Sequence, residues 1–101
     1  MRKEFDIAIT FNGKQHKPLI IDSHFRKNHP DVTFEIIFDL VKSLDGGFFE
    51  PQKVVDGWSY FAIEPVFRGK APYRVVLVTS EDQQLLGIIN AFRVSRKKYE
   101  T

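Results

Sequence analysis

Alternating apolar and polar residues open the chain. In EFDIAITF, Phe5, Ile7, Ile9 and Phe11 fall on one side of an extended backbone, and Asp6, Ala8 and Thr10 on the other. A period of two marks a half-buried β-strand. Asn12-Gly13 follows, a pair suited to a type I′ turn because both central residues of that turn need positive φ. Residues 15–21 are expected as the return strand, with Pro18 arguing for a sheet edge or an irregular start. After His29-Pro30 the period changes, and Phe34, Ile37, Phe38, Val41 and Leu44 recur at helical spacing. Asp31 or Thr33 can cap this helix by accepting from its unpaired first N–H groups. Gly46-Gly47 stop it by supplying the left-handed conformation that a helix end favours. Ile36 and Leu40 widen the apolar face, so the helix is expected to pack firmly on a sheet.

The remainder reads as a meander. FFEPQKVV is a broken strand, Asp56-Gly57 a hairpin turn and WSYFAIEPVF a long aromatic strand. RGKAP is a loop, YRVVLVTS a β-branched strand, SEDQQ a polar turn and LLGIINAFRVS the last strand. Sequential strands joined by short turns are expected to pair antiparallel. The expected fold class is therefore α+β: one main helix packed on a curved antiparallel sheet, ordered as N-terminal hairpin, helix and β-meander. A chain of 101 residues, 43% hydrophobic, has material for one core, so residues 1–101 are read as a single domain.

Composition removes several function classes. There is no cysteine, which excludes disulfides, thiolate metal sites and cysteine nucleophiles. No apolar run approaches a membrane span, and MRKEFDIAIT lacks the longer apolar segment of a signal peptide, so a soluble, cytoplasmic protein is expected. No Gly-rich phosphate loop or nucleophile elbow is present. His24 and His29 are five apart, and Asp22 and Asp31 do not complete a recognisable ligand set, so neither metal nor cofactor is expected.

Net charge is only +2, but its distribution is informative. Lys14, Lys17, Arg26 and Lys27 gather around His16, His24 and His29 in HKPLIIDSHFRKNHP and just before it, while Arg93, Arg96, Lys97 and Lys98 mark the far end. Folded together, two basic zones make a positive groove of the kind nucleic acids use. The alternative is a solvated surface with a fraying basic tail. His16, in or near a hairpin, is expected to be exposed.

The segments SHFRKNHPDVTFEIIFDLV, DGWSYFAI, YRVVLV and GIINAFRVSRKK give a histidine, then His-Pro-Asp before a helix, then a meander whose last strand ends in basic residues. This arrangement resembles the barnase/EndoU/colicin/RelE-like nuclease group, in particular its small phage and polymorphic-toxin members. It covers most of the chain after residue 20. The resemblance implies a metal-independent toxin ribonuclease acting on single-stranded or structured RNA and neutralised by a cognate antitoxin or immunity protein.

Such cleavage uses the adjacent 2′-hydroxyl as nucleophile and needs a base, an acid and cations for the charge building on phosphorus. His24 and His29 are the acid/base candidates, and Arg26 and Lys27 the phosphate ligands beside them. Arg93 and Arg96 complete a cationic wall if the last strand lies beside the start of the helix. Tyr60 or Trp58 can stack an unpaired base, and Asn90, Thr79 and Ser95 are further donors.

Each has a structural alternative. His24 can cap a turn, and His29 can bond the backbone where the chain enters the helix. Trp58, two residues from Tyr60, is expected in the core if their shared face meets the helix. Asn90 and Arg93, at odd spacing, face opposite sides of a regular strand unless a bulge intervenes. Two further function classes stay open: a non-catalytic protein-binding module, such as an adaptor or an antitoxin-like partner, and a nucleic-acid binder without cleavage.

Overall fold

The computed structural model describes residues 2–22, 24, 27–80, 82 and 84–99. Among these described residues, eight strands and one α-helix follow in the order β1 (Arg2–Phe5), β2 (Ile9–Phe11), β3 (Lys14–His16), β4 (Leu19–Asp22), α1 (Phe34–Leu44), β5 (Lys53–Val55), β6 (Trp58–Arg68), β7 (Ala71–Ser80) and β8 (Leu86–Arg93). A short 3₁₀ helix, Arg96–Tyr99, comes after β8. The architecture is α+β: one helix and a mostly antiparallel six-stranded sheet, in the order β1-β4-β8-β7-β6-β5, with β2 and β3 forming a separate two-stranded ribbon.

The N-terminal hairpin differs from expectation. The Asn12-Gly13 turn forms with both φ values positive, at 54° and 77°. Both of its arms, however, are broken. The Ile7 N–H turns back onto the Phe5 carbonyl at 2.8 Å, ending β1. Pro18, which has no N–H to give a ladder, separates β3 from β4. The inner halves become the β2–β3 ribbon. The outer halves pair antiparallel as β1–β4, and β4 then joins β8 in parallel, Leu19 opposite Leu86 and Ile21 opposite Ile88. This parallel pair departs from the all-antiparallel sheet expected.

Helix α1 starts at Thr33, whose Oγ1 accepts from the Ile36 N–H at 3.2 Å, and Gly46 (φ 83°) follows its end. Ile37, Leu40, Val41 and Leu44 are buried against Leu19, Ile21, Phe61, Val75, Leu77 and Ile88 from the sheet and Ile9 and Phe11 from the ribbon. Alternation along the strands fixes what lies on the other face. Phe61 and Val75 face the helix, so Trp58, Tyr60, Ala62 and Glu64 of β6 and Arg74, Val76 and Val78 of β7 face away from it. No α-helix covers that second face among the described residues.

Candidate RNA interface on the uncovered sheet face

Trp58 and Tyr60 are half-buried on the face that α1 leaves open, which corrects the expectation that Trp58 joins the core. The sequence held a signal for this. Arg74 and Glu64 share that face, and a charged pair in mid-strand marks the solvent side. Around the two rings lies a hollow of about 320 Å³, bordered by Arg2, Asp22, Ile20, Val78 and Gly87. Gly87 keeps it open, because a Cβ there would stand 3.1 Å from Val78 Cγ1. Lys53, opposite Tyr60 on β5, holds its ammonium 5.0 Å from the Tyr60 ring centroid. A cation over an aromatic face is attracted by the ring quadrupole.

His24 stands at the border of this hollow through Asp22. One carboxylate oxygen of Asp22 is 3.0 Å from the His24 backbone nitrogen and 3.0 Å from the ring Nδ1. The backbone bond, then the ring bond, holds the Asp22 carboxyl below its usual range. A carboxylate at Nδ1 makes that nitrogen the donor and leaves Nε2 as the acceptor of the neutral imidazole. The His24 side chain is 70% exposed. Arg2 sits directly across from Asp22 in the β1–β4 ladder.

The other expected site residues lie elsewhere. The His29 ring stacks on Phe92 of β8, with centroids 5.1 Å apart at 17°, and its carbonyl accepts from the Val32 N–H at 3.1 Å. Arg93, exposed, pairs with Tyr73 at the far end of β8, and Arg96 is exposed in the 3₁₀ helix. None of these three borders the hollow. Lys27 is exposed, and Arg26 lies outside the described residues. Ser95 is exposed and its carbonyl accepts from the Lys98 N–H at 3.3 Å.

A bulge does occur in β8, but at Ile89, where the register passes from Leu77–Ile88 to Val76–Asn90. It precedes Asn90, so Asn90 and Arg93 keep opposite faces. Asn90 Oδ1 is buried without a hydrogen-bond partner among the described residues, on the same face as Tyr60.

His16 overturns its expectation most fully. It is the last residue of β3, 5% exposed, and lines a second cavity that also takes in Thr79. No helix among the described residues is long and apolar enough to cross a membrane. Compared with protein-family models, curated proteins and solved structures, the chain finds no match.

Proposed function

We propose that the chain is a metal-independent ribonuclease that lays single-stranded RNA over the uncovered sheet face. The observation that carries this reading is one hollow with Trp58 and Tyr60 in its lining and the Asp22–His24 pair at its border. Exposed aromatic rings on a sheet stack bases of any sequence, and nearby cations hold the backbone between them. Arg2 and Lys53 are the cations nearest those rings by register.

His24 is the general base: Nε2 takes the proton of a 2′-hydroxyl, whose oxygen attacks phosphorus while the bond to the 5′-oxygen breaks. The products are a 2′,3′-cyclic phosphate and a 5′-hydroxyl end. The leaving oxygen takes up a proton from water, since His29 does not border the hollow. The arrangement of SHFRKNHPDVTF and the basic end of GIINAFRVSRKK supports the same reading by resemblance to the barnase/EndoU/colicin/RelE-like group. A toxin of this kind would also have a neutralising protein partner.

The test is incubation of the purified chain with single-stranded RNA in EDTA, with the ends analysed for cyclic phosphate. His24→Ala should lower the cleavage rate by about 10²–10⁴-fold, the usual worth of a positioned base, and leave the thermal midpoint unchanged because the side chain is exposed. Trp58→Ala and Tyr60→Ala should each weaken RNA binding by about 1–3 kcal/mol, the measured range for stacked bases. Salt-sensitive binding without products would leave an RNA binder and remove the nuclease. Intact RNA and no binding would remove both.

One observation favours a protein-binding reading instead. Edge strand β5 carries Val54 at 58% exposed, and Phe48 nearby in sequence is 77% exposed. An uncovered apolar edge is where a partner strand adds. Under that reading Val54→Lys abolishes partner capture and His24→Ala has no effect.

A further inference from the structure

The β2–β3 ribbon is fastened down as a roof over one end of the sheet. Asn12 Nδ2 donates to the Phe49 carbonyl at 2.9 Å and its Oδ1 accepts from the Phe49 N–H at 2.5 Å. Backbone bonds from Asn12 to Gly47 (3.0 Å) and from Gly46 to Thr10 (2.7 Å) hold the same side, and the Lys17 N–H reaches the Gln84 carbonyl on the other. Beneath this roof is a cavity of about 200 Å³. One water takes about 30 Å³ of the liquid, so the space is sized for a small organic molecule.

Its lining has three chemistries, one of them the cation Lys14. Phe11 and Phe61 supply aromatic surface, their rings edge-to-face at 4.9 Å. His16, Ser59, Thr79 and Ser80 supply hydrogen-bonding groups. His16 Nδ1 is buried with no partner among the described residues, a condition proteins rarely tolerate in a closed core. Burial foremost, and then the charge of Lys14, hold the imidazole below its ordinary pKa, against backbone hydrogen bonds at Leu85 and Phe11 that pull the other way. The ring is therefore held toward its neutral form, and the positive charge in the lining comes from Lys14. An imidazole in that form and neighbouring hydroxyls offer both donors and acceptors, which match the polar edge of a heterocycle.

We propose that this cavity binds one planar heterocycle of nucleobase size, packed against the aromatic surface of Phe11 and Phe61 with a polar edge satisfied by His16 and Thr79. The site is distinct from the RNA hollow. Ser59 and Phe61 alternate with Trp58 and Tyr60 along β6, so the two sites open on opposite faces of the sheet.

The experiment is a ¹⁵N NMR titration of the His16 ring, assigned with His24→Gln and His29→Gln. Ligands are adenosine, guanosine, cytidine and uridine, then the same bases within short single-stranded RNA. The expected result is saturable movement of the His16 Nδ1 resonance by at least one base, weakened at least tenfold in Thr79→Val and unaltered for nucleosides in Trp58→Ala. Response to nucleosides identifies a free metabolite site, and response to oligonucleotides alone identifies an unstacked base of RNA; either supports the proposal. No movement with any of these ligands, or equal affinity in wild type and Thr79→Val, overturns it. Loss of RNA cleavage in His24→Ala bears on neither result, so the two proposals fail separately.

Discussion

Glu64 accepts from side chains of two elements. Arg74 Nη1 of β7 donates to Oε1 at 3.4 Å, while Lys98 Nζ (2.8 Å) and the Tyr99 hydroxyl of the 3₁₀ helix share Oε2. Bonds from Lys98 and then Tyr99 lower the Glu64 pKa from 4.5 to about 2. A carboxyl with a depressed folded-state pKa adds stability above its unfolded value and loses it as pH falls through the folded one. The denaturation midpoint of the wild type should therefore drop between about pH 4.5 and 2. Glu64→Gln should start lower at pH 7 and change less across that window, as urea titrations at several pH values would reveal. Residues 96–99 are thus fastened to the sheet, which corrects the reading of a fraying basic tail. The sequence showed Lys98 in a basic end and Glu64 in mid-strand. That the first folds back onto the second is a contact between residues far apart in the chain. His16 was illegible for a similar reason: its neighbours in the fold come from residues far along the chain.

At the scale of elements, the helix was the most readable part. Its period, its Thr33 cap and its glycine stop act within a few residues of one another, so sequence alone carries them. Leu40, 1% exposed, faces the middle of the sheet. Leu40→Ala should cost about 2–5 kcal/mol in chemical denaturation, the usual penalty for a cavity left in a core. Which face of β6 meets that helix was harder to read. Both alternating sets contain aromatic residues, Trp58 and Tyr60 in one and Phe61 in the other. Arg74 breaks the tie once β7 is paired with β6. The bulge at Ile89 was invisible because LLGIINAF has apolar residues in both phases. Turns told by two residues, Asn12-Gly13 and Asp56-Gly57, formed as expected with positive φ throughout.

For the whole molecule, the class of fold was legible and the closing strand pair was not. Local turns assemble β5, β6, β7 and β8, whereas β4 reaches β8 only after about two thirds of the chain has intervened, Leu19 meeting Leu86. Sequence patterns describe neighbours; a parallel pair without a short connection leaves no local trace. The same separation has a kinetic side. Contacts between distant residues must first overcome loop-closure entropy, so they form late along a folding route. The meander and helix should make up the nucleus, with β1 and β4 docking onto a β8 edge already made. Leu19→Ala and Ile21→Ala should then speed unfolding while leaving the refolding rate near wild type, and Leu77→Ala should slow refolding, in a stopped-flow chevron comparison. Until that last docking, β8 presents a bare apolar ladder, which makes the interval before β4 arrives the moment at which two chains can pair with each other instead of closing on themselves.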